Sequence, residues 1–321
     1  MPESQQPIIW GLGISFSIIA IAAVVLRFWA RRIKGQKLGS DDWTILVALI
    51  LGLAVTIDML IMTQLGGLGS HSEFNADGTP LNPKAAIVLA KTIYALELLT
   101  WPAVGLTKIS VLLMYKRIFS TPRFQIVTWI MIGVNVAWIL TFTFALMFSC
   151  LPIAGPWTGT SYKCVNQEIL FTVALATDVA TDFLVLFLPA YEVKKLQMPL
   201  SRKILIIGIF CLGGLVSIVG VVRIHFLTTI YAFLYSSHTQ PDITWLYAPT
   251  YYWTIIETNV GVLSACLPTL RPILELITYS RQFSQLTHLF SSSTSKTGDI
   301  RLGSVEDLNS NKTPSERVSA V

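Results

Sequence analysis

Seven long apolar stretches separated by short polar loops constrain this chain more than any other feature of its sequence. A membrane-crossing helix needs about 20 mostly apolar residues to span roughly 30 Å of hydrocarbon. Read by hydropathy, the stretches fall at 8–30, 43–65, 87–115, 124–148, 169–191, 204–231 and 245–267. With their loops they consume most of the 321 residues and leave no room for a large soluble domain. The expected fold is therefore an all-α membrane protein, a seven-transmembrane helix bundle. Its predicted divisions are a short extracellular N-terminus at 1–7, a seven-helix membrane domain at 8–278 and a disordered Ser/Thr-rich cytoplasmic tail at 279–321. Only 13% of residues are charged, about half the usual share for a soluble domain.

The charges report topology. Alternating the loops puts Arg27, Arg31, Arg32, Lys34, Lys37, Lys116, Arg117, Arg123, Lys194, Lys195, Arg202 and Lys203 on one side, and Lys84, Lys91 and Lys163 on the other. Positive charge marks the cytoplasmic face, so the C-terminus is expected inside and the N-terminus outside. The net charge of +5 is clustered at span ends rather than along one face, which argues against nucleic acid as a partner. The first span is expected to act as an uncleaved insertion signal. The third span is the least apolar on this reading, because it carries Lys91, Glu97, Lys108 and the Trp101-Pro102 break, and it is predicted to sit inside the bundle. The sequon at Asn311 would take a glycan only if the tail were outside.

Cys150 and Cys164 flank one outer loop, with Pro152, Pro156 and Trp157 between them, and are predicted to form a disulfide. Cys211 and Cys266 fall within spans and read as packing residues. Each ionisable residue inside a span needs a partner or a wet cavity. Asp178 and Asp182 lie four apart on one helix face. At 1.5 Å per residue, Asp178, Arg223 and Glu257 all sit roughly 13 to 16 Å from the outer face. Arg223 cannot deprotonate, so it is predicted to pair with Asp178, Asp182 or Glu257. Together with Lys108 and Glu97 these residues form a candidate polar centre, read either as a ligand pocket or as an ion network that only fixes packing. Asp41 and Asp42, after Ser40, are predicted to cap the second helix and to pair with Arg31, Arg32, Lys116 or Arg117 in a structural role.

Enzymatic and cofactor chemistry find no purchase. A retinal Schiff base needs a lysine in the seventh span, which has none. A zinc hydrolase needs converging ligands, whereas His71 and His238 lie in outer loops, His288 lies in the tail and only His225 falls within a span. No metal and no cofactor is expected. The glycines at 66, 67 and 69 read as a turn.

These residues, taken in order, resemble a fungal integral membrane family of rhodopsin-domain proteins, which includes members in satratoxin gene clusters and pathogenesis-related receptor-like proteins. The resemblance runs over 8–272. It rests on Asp41-Asp42-Trp43, Gly67-Leu68-Gly69-Ser70-His71, Lys108-Ile109-Ser110, Tyr115-Lys116-Arg117-Ile118-Phe119, Cys150-Leu151-Pro152 with Trp157 and Cys164, then Asp178, Thr181, Asp182, Pro189, Arg223 and Glu257, and finally Leu267-Pro268-Thr269-Leu270-Arg271-Pro272. It implies seven helices and a receptor-like or cluster-associated role. The leading expectation is a non-enzymatic receptor-like protein of the plasma membrane, surrounded by membrane lipids, sensing an unknown small or lipophilic ligand and engaging a cytoplasmic signalling partner. A transporter of small metabolites and an accessory membrane protein of a secondary-metabolite pathway are the alternatives.

Overall fold

The computed structural model describes residues 4–71, 81–158, 161–195, 200–236 and 242–294. Its elements are α1 (Gln6–Ile33), α2 (Ser40–Leu65), α3 (Pro83–Ile118), α4 (Pro122–Met147), β1 (Cys150–Leu151), α5 (Gly155–Thr158), β2 (Lys163–Cys164), α6 (Gln167–Lys195), α7 (Leu200–Ser236) and α8 (Ile243–Thr294). The chain divides into two compact units, Met1–Pro272 and Ile273–Val321, and all packing described below belongs to the first. The tail past Thr294, its Asn311 sequon and His238 lie outside the described residues.

Every predicted span is helical, and the polarity of the bundle is inverted relative to a soluble protein. On α1 the outward residues are Ile14, Ile18, Val25 and Trp29, while the inward ones include Gly13, Ser17, Ala20 and Ala23. Small residues inside let helices approach closely where lipid removes the usual hydrophobic drive for association. Among the described residues six helices are long and apolar enough to cross a membrane, from α1 through α4 plus α6 and α7, and α3 is the least apolar of them. α8 is not among the six. Its buried Thr244, Thr250, Thr254, Glu257, Thr258 and Asn259 lower its hydropathy, and they point inward.

α3 is the hub. One apolar cluster joins α1, α2, α3 and α8 through Ile9, Val55, Met59, Leu96 and Ile255, and another joins α3, α4, α6 and α7 through Trp101, Trp138, Ala174 and Leu227. Gly105 lets α3 meet α4, since a Cβ there would collide with Ile139. Pro83 and Pro122 open α3 and α4 at the first helical turn, where a missing N–H costs nothing. The 66–69 glycines do make a turn. Gly69 adopts φ +78°, donates to the Thr244 carbonyl at 3.0 Å and accepts from the Gln5 amide at 2.8 Å, so it ties the starts of α1 and α8 together. At the same end of the bundle His71 stacks on Trp245 with ring centroids 4.3 Å apart, its Nδ1 2.6 Å from Asp242 Oδ2.

At the opposite end an ionic cluster fixes the helices. Arg27 is 0% exposed and donates to Asp42 Oδ1 at 2.8 Å, Asp41 Oδ2 at 2.6 Å and the Ala265 carbonyl at 2.7 Å, binding α1 to α2 and α8. Arg31 donates to Asp41 Oδ2 at 2.6 Å, and Arg117 Nη1 lies 3.7 Å from Asp41 Oδ1. The Ser110 hydroxyl adds α3 by donating to the Asp41 carbonyl at 2.7 Å. The pairing differs from the sequence expectation in two ways. Gly39 rather than Ser40 is the cap, its amide donating to Asp42 Oδ2 at 3.0 Å, and the principal partner is Arg27, which the hydropathy reading places among loop charges.

Arg27→Ala removes the fully buried cation shared by Asp41 and Asp42 and leaves both to Arg31, and loss of one partner from such a buried cluster costs up to about 3–5 kcal/mol. Fluorescence-detected size exclusion of the tagged protein should show little monodisperse Arg27→Ala, with Trp29→Ala on the outward face unchanged; equal recovery of the two would contradict the structural role.

Candidate functional site

Four helices bring the predicted polar residues to the middle of the bundle: α3 supplies Glu97 and Lys108, α6 Asp178 and Asp182, α7 Arg223 and α8 Glu257. Each lies in a helix that cannot leave a charge uncompensated, and they sort into two groups. Lys108 Nζ lies 2.8 Å from Asp178 Oδ1, 2.9 Å from Asp182 Oδ1 and 2.9 Å from the Thr181 hydroxyl, and it also donates to the Asp178 carbonyl at 2.7 Å. Asp178 and Asp182 share a face as their spacing predicts, and the amine lies between them. Arg223 Nη1 donates to Glu257 Oε2 at 2.9 Å, with its guanidinium 5.7 Å from the centre of the Trp101 ring. The expected Arg223 partnership with a carboxylate is present and falls to Glu257, because Lys108 takes both aspartates. Trp138 connects the Lys108 group to α4: its ring lies 5.7 Å from Lys108 Nζ and its Nε1 donates to the Thr177 hydroxyl at 2.9 Å.

Several valences remain open. Glu97 Oε2, Asp182 Oδ2, Arg223 Nε and Glu257 Oε1 are buried with no hydrogen-bond partner among the described residues. A polar group left so in apolar surroundings costs about 1–3 kcal/mol, more when charged. The open valences sit beside cavities. A mouth cavity of about 870 Å³ opens at the hairpin end, bordered by Tyr94, Glu97, Trp157, Glu168, Phe171 and Tyr231. A deeper cavity of about 210 Å³ shares Ile93, Glu97, Gln167, Phe171, Tyr231 and Ile243 with it and descends to Arg223, Tyr247, Thr250 and Tyr251. A third, of about 70 Å³, begins on the other side of the ion pairs at Lys108, Asp182 and Glu257 and runs toward Tyr115 and Pro268. The polar centre therefore separates two spaces.

The mouth is shaped by a covalent staple. β1 and β2 pair antiparallel with Cys150 opposite Cys164, and the two form the predicted disulfide, with Cα atoms 4.0 Å apart. Cys266 is buried, and Cys211 is exposed on the outside of α7. His225 is also exposed on α7, away from the polar centre, and Asp58 borders none of the three cavities.

Sequence reasoning missed the aromatic and hydroxyl lining. The signal is present in α8, where Tyr247, Thr250, Tyr251, Thr254, Glu257 and Thr258 recur at three- and four-residue intervals and form one polar stripe on a helix. Tyr231 and Phe171 carry no such pattern.

The sequence profile of the fungal rhodopsin domain matches residues 26–276. Phomoidride biosynthesis cluster protein H from a fungal species is 29% identical over 87% of this chain and 92% of its own length. A SAT4 family membrane protein of Emericella nidulans is 31% identical over 64% of this chain and 49% of its own, and Receptor GIN3 of Arthrobotrys oligospora is 26% identical over 93% and 69%.

Two experiments check the geometry. Alkylation of the denatured protein should label two of its four cysteines without reductant and all four after reduction; four labelled from the start would remove the staple. Arg223→Met should lower the melting temperature of the purified protein more than Arg223→Met combined with Glu257→Leu, since the double change removes both charges of a buried pair. A double variant less stable than the single would mean that the two residues are not coupled.

Proposed function

This chain belongs to the fungal rhodopsin domain family, and we propose that it is a receptor-like integral membrane protein that takes a small or lipophilic ligand into the cavity between its hairpin mouth and the Arg223 to Glu257 pair. The observation that carries this reading is the continuity of the two cavities through Glu97, down to ion pairs that stand between them and the third cavity. A space that enters a helix bundle, narrows onto open hydrogen-bonding valences and stops at a packed polar layer suits recognition. In this reading α8 is the seventh span, its polar stripe shielded by the other helices. The hairpin end faces outward, where oxidation is permitted, and the Arg27 cluster faces the cytoplasm, where the positive loops lie. We place the protein in the plasma membrane, with membrane lipids around it and a signalling partner at its cytoplasmic loops or tail. It works without retinal and without catalysis of its own.

A second reading has its own support. Phomoidride biosynthesis cluster protein H is named for a biosynthetic cluster and resembles this chain over most of both lengths, which favours an accessory membrane role in a secondary-metabolite pathway. A metabolite transporter would need the ion-paired layer to open alternately to both sides.

Replacing the gene by an Ile93→Trp allele, which fills the junction of the two cavities, separates these readings. For a receptor, the variant reaches the membrane and reproduces the transcriptional change of a full deletion. A filled variant indistinguishable from wild type would sink the pocket reading; a deletion that changes metabolite yield with no transcriptional change would favour the accessory role.

A further inference from the structure

We infer that the ligand entering the hairpin mouth carries an organic ammonium group, recognised by Glu97 beneath a cage of Tyr94, Trp157, Phe171 and Tyr231. The inference rests on the proposal that the cavity is a ligand site, and adds the chemical class. Three observations carry it.

The first is the sign of the charge. Among the described residues the mouth cavity is bordered by two carboxylates, Glu97 and Glu168, and by no Lys, Arg or His. Low-dielectric walls of one sign focus the field and concentrate counter-ions of the opposite sign. Arg223, which borders the deeper cavity, pairs with Glu257 at 2.9 Å and also lies within electrostatic reach of Glu97, so the guanidinium already faces two carboxylates.

The second is Glu97 itself. It is 7% exposed, borders both cavities and leaves Oε2 with no hydrogen-bond partner. Asp178 and Asp182 share Lys108 and Glu257 has Arg223, whereas Glu97 has no cation within ion-pair distance among the described residues. A buried carboxylate in that position is stabilised by an arriving cation, and an ammonium supplies both the charge and N–H donors.

The third is the aromatic wall. Tyr94 and Trp157 lie with ring centroids 5.5 Å apart at 57°, and the Tyr94 hydroxyl donates to the Met147 carbonyl at 3.1 Å, which fixes its ring. Trp157 is held in the loop closed by the Cys150 to Cys164 bond. Phe171 and Tyr231 complete the wall. Ring faces attract cations within about 6 Å of their centres, most of all when desolvated. An anionic ligand would meet two carboxylates before it reached Arg223, whose Nη1 is taken by Glu257.

The test uses full-length protein in nanodiscs of zwitterionic lipid, titrated calorimetrically with three probes that share a ring: benzyltrimethylammonium, benzyl alcohol and benzenesulfonate. The cation should bind saturably and about tenfold or more tighter than the other two, and Glu97→Gln should weaken it by at least about tenfold, the loss of one charge-assisted contact. Trp157→Leu, at the mouth and away from the helix core, should weaken it severalfold and serves where Glu97→Gln does not fold. Equal binding of the three probes, preference for the sulfonate, no saturable cation binding, or cation binding untouched by the substitutions would each overturn the assignment. A lost transcriptional response in Ile93→Trp with no charge preference here would leave the receptor reading standing without a cationic ligand.

Discussion

A guanidinium keeps its charge in any interior, and among the described residues Arg27, Arg31 and Arg223 are buried, as is Lys108. Lipid supplies no hydrophobic reason for one apolar helix to prefer another, so packing, hydrogen bonds and charge matching decide which helices meet. The charge matching here is nearly a wiring diagram. Arg27 joins α1 to α2 and α8, Lys108 joins α3 to α6, and Arg223 joins α7 to α8. Only α4 among the long helices lacks such a link within the described residues, and it is held by Trp138 and Phe142 against Trp101 instead.

The same constraint creates the site. Ion pairs in a bundle core fix arrangement more than they add stability, and a core built around them cannot also be packed to a seamless apolar density. The pairs of Lys108 and Arg223 form a layer, and the space left on the hairpin side is walled by aromatics and closed over by a disulfide loop. Glu97 borders both cavities on that side and leaves Oε2 without a hydrogen-bond partner among the described residues. Structure and function therefore meet at the charges: those that are paired hold the helices, and Glu97, with no cation at ion-pair distance among the described residues, faces the cavity.

Much of this was legible in the sequence. Helical spans follow from hydropathy, and the Arg223 pairing followed from the cost of burial together with a count of depth along each helix. Depth says nothing of azimuth, which is why Lys108 could not be assigned to Asp178 and Asp182 in advance. Arg27 was hidden for a different reason, since it stands in a run with Arg31, Arg32 and Lys34 that reads as loop charge, yet its side chain turns inward under the Ala265 carbonyl. α3 is the least apolar of the six helices fit to cross a membrane, as its charges foretold, and α8 falls outside the six because it devotes its inward stripe to threonine, tyrosine and Glu257. The tyrosines and Phe171 of the cavity wall look in sequence like ordinary apolar or interfacial residues, and only the closing of four helices around them makes them a lining.

The decisive question is whether the ion-paired layer separates two spaces reached from opposite sides. In a background with Cys211 and Cys266 changed to alanine, single cysteines at Ile93, which borders both cavities of the hairpin side, and at Val111, which borders the third, can be exposed to a membrane-impermeant maleimide on intact cells. Ile93→Cys should be labelled on intact cells, and Val111→Cys only after the membrane is permeabilised. Labelling of both from outside would reveal a continuous path through the layer, and labelling of Val111→Cys alone would reverse the topology.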